Sequence, residues 1–254
     1  MYLIVAILGL LLGSFLNVIV LRFDDLKTIF LTRSHCIHCK KEIKWYDLVP
    51  FFSYIALFGK CRFCKKEISI QYPLVEVGTA IILCLLFWQF GLTLAFFAYG
   101  LIFLILIVIF VYDILHLLIP DALVWLCIGI WAIYLIISYF FGLTPLFMIL
   151  NSLYGALALG GFLALLVIIS KEKWMGAGDI KLGAILGAMV FWPQVLVSTF
   201  LAFTIGAIVG LFLIAIKKKK LQGKVPFAPF LILGTLIALI WAEPILVWYL
   251  GGVL

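Results

Sequence analysis

Two sets of residues in this sequence have the types and spacing to do chemistry. The first is three aspartates next to long apolar runs. Asp113 and Asp121 lie in Tyr112-Asp113-Ile114-Leu115-His116-Leu117-Leu118-Ile119-Pro120-Asp121, and Asp179 ends Gly176-Ala177-Gly178-Asp179. An acid in or beside a membrane span costs insertion energy, so it reads as functional by default. Paired carboxylates suit peptide hydrolysis. Two acids in contact cannot both ionise easily, so one takes a proton from water while the other, protonated, polarises the scissile carbonyl. The second set is Cys36-Ile37-His38-Cys39 and Cys61-Arg62-Phe63-Cys64. Two CxxC pairs about twenty residues apart predict a tetrahedral metal site, closed by four thiolates and therefore structural, with zinc as the expected ion. A loop this small builds little core, so the metal would supply its folding energy.

The simpler readings are specific to each residue. An aspartate at a helix start is often an N-cap. That predicts a cap at Asp121, after Pro120, and also suits Asp179, but it does not suit Asp113 at the C-terminal end of its run, where the helix dipole disfavours an anion. His116 is expected at most to hold Asp113 by a hydrogen bond, and Lys181 to anchor the membrane interface. Gly176 and Gly178 would let a substrate backbone approach Asp179. His35 and His38 read as bystanders to the cysteines, and Cys84 and Cys127 as small buried apolar residues.

The elements that must position these groups follow from composition. The chain has 254 residues, 67% hydrophobic and 11% charged. Soluble domains carry about 25% charged residues, so the bilayer must be the solvent for most of this one. An all-α polytopic membrane protein is predicted, with eight spans at 2–20, 74–90, 94–112, 122–140, 146–169, 180–192, 194–216 and 227–250. The sixth is short, yet 182–216 is 35 residues without a charge, enough for two crossings. The division is 1–22 as the first span, 23–72 as the cysteine loop and 73–254 as a seven-helix membrane domain. Residues 1–20 lack a basic n-region and read as a retained span, not a signal peptide. With the N-terminus outside, all 18 Lys and Arg residues fall on the inner side. That places both termini outside and the cysteine loop and aspartates at the cytoplasmic face, where disulfides rarely persist. The formal charge of +7 is thus a matter of topology and lipid, and no nucleic-acid partner is expected. The lysine run 217–220 reads as a positive-inside stop. Gly183/Gly187 and Gly206/Gly210 have small-xxx-small spacing and read as helix packing. No internal repeat is expected.

The residues leave three functions open: a protease, a transporter using the same acids for protons or cations, and a scaffold for membrane assembly. Here the chain resembles the type IV prepilin peptidases, membrane aspartyl proteases of the GxGD type. The resemblance rests on Gly13-Ser14-Phe15-Leu16-Asn17-Val18 with Arg22, the two CxxC pairs with Trp45 to Pro50 between them, Ile70 to Glu76, and the two aspartate motifs, in that order. It implies catalytic roles for Asp113 and Asp179 and none in the chemistry for Asp121. It implies prepilin or pseudopilin substrates with a short basic leader, cut at the cytoplasmic face of a bacterial inner membrane. It further implies N-methylation of the new amino terminus with S-adenosylmethionine, a cofactor for which the residues show no glycine-rich fingerprint.

Overall fold

A computed structural model describes residues 1–23, 34–216 and 225–249. The lysine run 217–220 lies outside them. Eight helices match the expected spans in order: α1 Tyr2–Leu21, α3 Gln71–Phe90, α4 Leu94–His116, α5 Asp121–Phe140, α6 Leu146–Ser170, α7 Ala177–Val190, α8 Val195–Ala215 and α9 Ala228–Tyr249. A short helix α2, Phe52–Ala56, lies in the cysteine loop after a 3-10 turn at Trp45–Leu48. Among the described residues β-pairing is confined to two isolated bridges. All of these helices except α2 and α7 are long and apolar enough to cross a membrane. Helices answer the bilayer's demand because each satisfies its own backbone hydrogen bonds.

The chain forms two compact units, 1–108 and 109–254. In the first, α1 pairs with α3. Gly9 and Gly13 open the contact: a Cβ at Gly9 would fall 2.5 Å from Ala80 Cα, and one at Gly13 2.7 Å from Glu76 Cα. Small residues let helix backbones approach where lipid supplies no hydrophobic drive. The buried Asn17 amide donates to the Gly13 carbonyl at 3.3 Å and to the Tyr72 carbonyl at 3.2 Å, closing the same pair. Phe90 stacks on Tyr99 at 4.7 Å across the turn between α3 and α4.

In the second unit α7 is the hub, packed on α5, α6, α8 and α9. Its 14 residues span about 21 Å, less than the roughly 30 Å hydrocarbon thickness. Nine of the 14 are buried, so neighbouring helices cover it. Gly155 of α6 and Gly187 of α7 meet backbone to backbone, and Gly183 leaves room for Leu163. The expected packing role of Gly183 and Gly187 is therefore seen. Gly206 lies against Phe230, but a Cβ at Gly210 would meet nothing within 4 Å, so that half of the second pair is not a packing contact. Polar bonds tie the helices together: Trp131 Nε1 donates to Ser152 Oγ at 3.0 Å, Ser152 Oγ donates to the Ala188 carbonyl at 2.9 Å, and the hydroxyls of Ser198 and Thr235 pair at 3.1 Å.

Candidate active site and metal centre

Asp113 and Asp179 are both buried in the second unit. Each is held by a helix N-terminus. Asp179 is the third residue of α7, and its Oδ2 accepts the Gly176 N–H at 3.0 Å. This is half of a capping box, since Gly176 has no side chain to return the bond. Asp113 stands near the end of α4, where its own helix dipole opposes an anion. Its Oδ2 accepts the N–H of Ala228, the first residue of α9, at 3.2 Å. The N-terminus of another helix thus offsets the unfavourable end of its own. Among the described residues Oδ1 of each aspartate has no hydrogen bond to protein.

The surrounding motif residues divide differently from expectation. Asp121 is not an N-cap. Pro120 occupies that position, and the Asp121 side chain makes no capping bond; its Oδ2 instead accepts from Lys181 Nζ at 2.7 Å. Lys181 accordingly ties the starts of α5 and α7 together. Both side chains are well exposed, so the pair contributes little. The His116 ring lies tilted against Tyr112, ring centres 4.4 Å apart, and does not hold Asp113. A Cβ at Gly178 would lie 3.2 Å from Ile119 Cβ, whereas one at Gly176 has 3.8 Å to Asp179 Oδ2. The missing side chain at 178 therefore serves packing on Ile119, and only position 176 retains open space beside the carboxylate.

The four cysteines converge. The sulfurs of Cys36, Cys39, Cys61 and Cys64 all lie within 4.8 Å of one another, and Cys36 Sγ is 3.9 Å from Cys64 Sγ. A tetrahedral ion with bonds of about 2.3 Å to sulfur needs sulfur–sulfur edges of about 3.8 Å, so the cluster can hold a metal with little adjustment. His35 and His38 are outside it. The knuckles are alike. In each the first cysteine accepts the N–H four residues on (Lys40 to Cys36, Lys65 to Cys61), and both lysines have φ of 58°. They read Cys36-Ile37-His38-Cys39-Lys40-Lys41-Glu42 and Cys61-Arg62-Phe63-Cys64-Lys65-Lys66-Glu67. This is a short internal repeat, contrary to expectation and visible once the knuckles are aligned. Backbone N–H groups of Cys64 and Phe63 draw the Cys61 thiol down to about 7. The Lys66 N–H favours the Cys64 thiolate, but desolvation and the neighbouring thiols outweigh it and hold Cys64 at about 11. Four sulfurs so close cannot all ionise without a cation among them. Asp47 fastens the 3-10 turn to the second knuckle: its carboxylate takes Arg62 Nε at 2.9 Å and Nη2 at 2.6 Å, and Arg62 holds it below the usual carboxylate range.

A further acid, Glu76, escapes the sequence reading as a candidate. It lies five residues into α3 and is buried. It accepts the Phe51 N–H at 2.8 Å and the Ser14 hydroxyl. The signal was available, because a lone carboxylate inside a span demands partners. Cys127 is buried as expected, and Cys84 is half-buried.

Both halves of the chain match known proteins. Residues 7–90 match the bacterial peptidase A24 N-terminal domain, and residues 100–211 match the type IV leader peptidase family. The chain is 33% identical to a prepilin leader peptidase/N-methyltransferase of Legionella pneumophila, covering 99% of this chain and 95% of that one. It is 32% identical to the protein of that name from Pseudomonas aeruginosa, over 96% and 91%, and 31% identical to that from Bacillus subtilis, over 97% of each. No solved structure gives a significant match.

Proposed function

The chain belongs to the type IV leader peptidase family, and on that footing we propose that Asp113 and Asp179 are the catalytic pair with which it cuts the leader from prepilin-like substrates. It is a multi-pass membrane enzyme, a prepilin leader peptidase with N-methyltransferase activity by the family it belongs to. The observation that supports the catalytic assignment is the burial of two carboxylates in one unit, each held through Oδ2 by a helix N-terminus and, among the described residues, with Oδ1 not bonded to protein.

The chemistry comes from that arrangement. One carboxylate takes a proton from water, and the water oxygen attacks the scissile carbonyl carbon. The other, protonated, donates to the carbonyl oxygen. Collapse of the tetrahedral intermediate breaks the C–N bond: the leaving amine takes the proton drawn from water, and a hydroxyl of the intermediate returns a proton to the other acid. The two acids titrate as a unit, so the roles belong to the pair. Gly176 and Ala228 fix Oδ2 on each acid, which leaves the Oδ1 atoms for water and substrate.

Lysine and arginine bias supports a loop and an active site at the cytoplasmic face of the inner membrane, with both termini outside. The substrate would be a pilin or pseudopilin precursor whose short basic leader stays on that side. Zinc is the ion we assign to Cys36, Cys39, Cys61 and Cys64. Four thiolates leave it no open position, so it supplies folding energy and no catalytic step. The methyl donor, S-adenosylmethionine, finds no matching site among the described residues. A groove of about 430 Å³ lined by Ala158, Phe162, Val195, Leu196, Thr199 and Phe200 is apolar, and the Thr199 hydroxyl is turned to the Val195 carbonyl at 2.8 Å.

The test is purified protein with a synthetic prepilin, read by mass spectrometry. Asp113→Asn and Asp179→Asn should each leave the substrate intact while the protein stays folded. Cleavage by either variant at the parental rate would remove the pair from the chemistry.

A further inference from the structure

We propose that the segment between the two metal knuckles is an interfacial anchor, its aromatic side chains seated among the headgroups and upper acyl chains of an anionic membrane surface. Depth is the first support. Helices α1 and α3 have 20 residues each, about 30 Å, which matches the hydrocarbon thickness with nothing to spare. Glu76 lies five residues inside α3, some 7–8 Å along its axis. The Phe51 N–H is bonded to the Glu76 carboxylate at 2.8 Å. The loop backbone at Phe51 is therefore drawn below the rim of the span, to the depth of about 5–10 Å at which interfacial helices settle.

The side chains flanking Phe51 suit that depth and do not suit water. Phe52 is 63% exposed, Ile55 54% and Phe58 88%, and the preceding Trp45 is 80% exposed. A soluble loop of this size has no reason to present four large apolar groups, whereas tryptophan and phenylalanine belong at a membrane interface. The conformation is imposed. Phe51 and Phe58, at the two ends of α2, have φ of 60° and 52°, a region that bulky residues avoid unless the surroundings hold them there. The bond to Glu76 is one such restraint.

Charge selects the surface. Residues 34–70 carry seven Lys and Arg against three acids. Lys44 Nζ lies 5.6 Å from the Tyr46 ring centre and Lys41 Nζ 5.1 Å from that of Phe63. Cations ranged beside exposed aromatics complement acidic phospholipid headgroups. The metal knuckles would then stand on the membrane and not swing above it.

The experiment uses the full metal-loaded chain in nanodiscs of phosphatidylethanolamine and phosphatidylglycerol. The photoreactive residue p-benzoylphenylalanine is placed at position 52, 55 or 58, and, as a control, at His38 on the first knuckle. Mass spectrometry should find phospholipid adducts at the three test positions and none at His38. Adducts on a co-reconstituted prepilin, on a second copy of the chain, or on nothing would each overturn the proposal. A second measurement needs no crosslinker. The emission difference between the parent and Trp45→Phe should be lost when brominated acyl lipids replace ordinary ones, and an unquenched difference would overturn the proposal independently. Neither readout depends on cleavage, so failure of the peptidase reading and failure of the anchor are separable.

Discussion

The two units each bury carboxylates, and they treat them in opposite ways. In the first, Glu76 receives a backbone N–H from Phe51 and a hydroxyl from Ser14, and it joins a loop to a helix pair. In the second, Asp113 and Asp179 receive one backbone N–H each and, among the described residues, keep an oxygen free of protein. A buried acid saturated by its neighbours is a fastener. A buried acid left partly unsatisfied is the kind that the proposed hydrolysis needs. Burial alone would have treated all three alike; the count of donors separates them.

The contrast can be broken at either end. The largest effect should come from Asp113→Asn or Asp179→Asn. Either should lower the cleavage rate by about 10⁴-fold or more, as loss of one member of a concerted pair does. Thermal stability should barely move, since an asparagine oxygen can still accept from Ala228 or Gly176. Next is Cys61→Ser. Bound zinc, near one per chain by metal analysis, should fall away and expose residues 34–70 to protease, because metal binding is most of that module's folding energy. The membrane helices should resist digestion as before. Third, Glu76→Leu leaves the Phe51 N–H unpaired and should cost about 1–3 kcal/mol, read as a lower denaturation midpoint in detergent. The folded fraction should cleave prepilin normally; a variant that stays folded and loses cleavage would erase the distinction between the two kinds of acid. The smallest effect belongs to Lys181→Met. Its partner Asp121 is exposed, so the loss should be under about 1 kcal/mol with cleavage little altered.

Much of this was legible because the bilayer leaves few choices. Long charge-free runs become helices, and the observed ends fall within four residues of those expected; α3 and α7 start earlier, at Gln71 and Ala177, and α4 runs on to His116. The metal cluster was legible because CxxC is a local turn. The features that stayed hidden were mostly distant or competitive. The Ala228 N–H that donates to Asp113 is 115 residues away, and no periodicity connects them. Asp121 read as a cap because aspartate caps well, but Pro120 had already taken the flanking position and Lys181 offered a charge-assisted bond. Gly178 read as an opening for substrate until Ile119 filled the space.

The shortness of α7 has a consequence for hydration. A helix about 9 Å shorter than the oil layer around it would ordinarily force lipid to thin or pucker. Here four protein neighbours absorb the mismatch, so no acyl chain need track the helix down to its first turn. A hydrolase in a membrane has to bring its second reactant, water, through a medium that excludes it. If Asp179 acts on water as proposed, its place in the first turn of a helix with four protein neighbours would let that water travel along side chains and not through acyl chains.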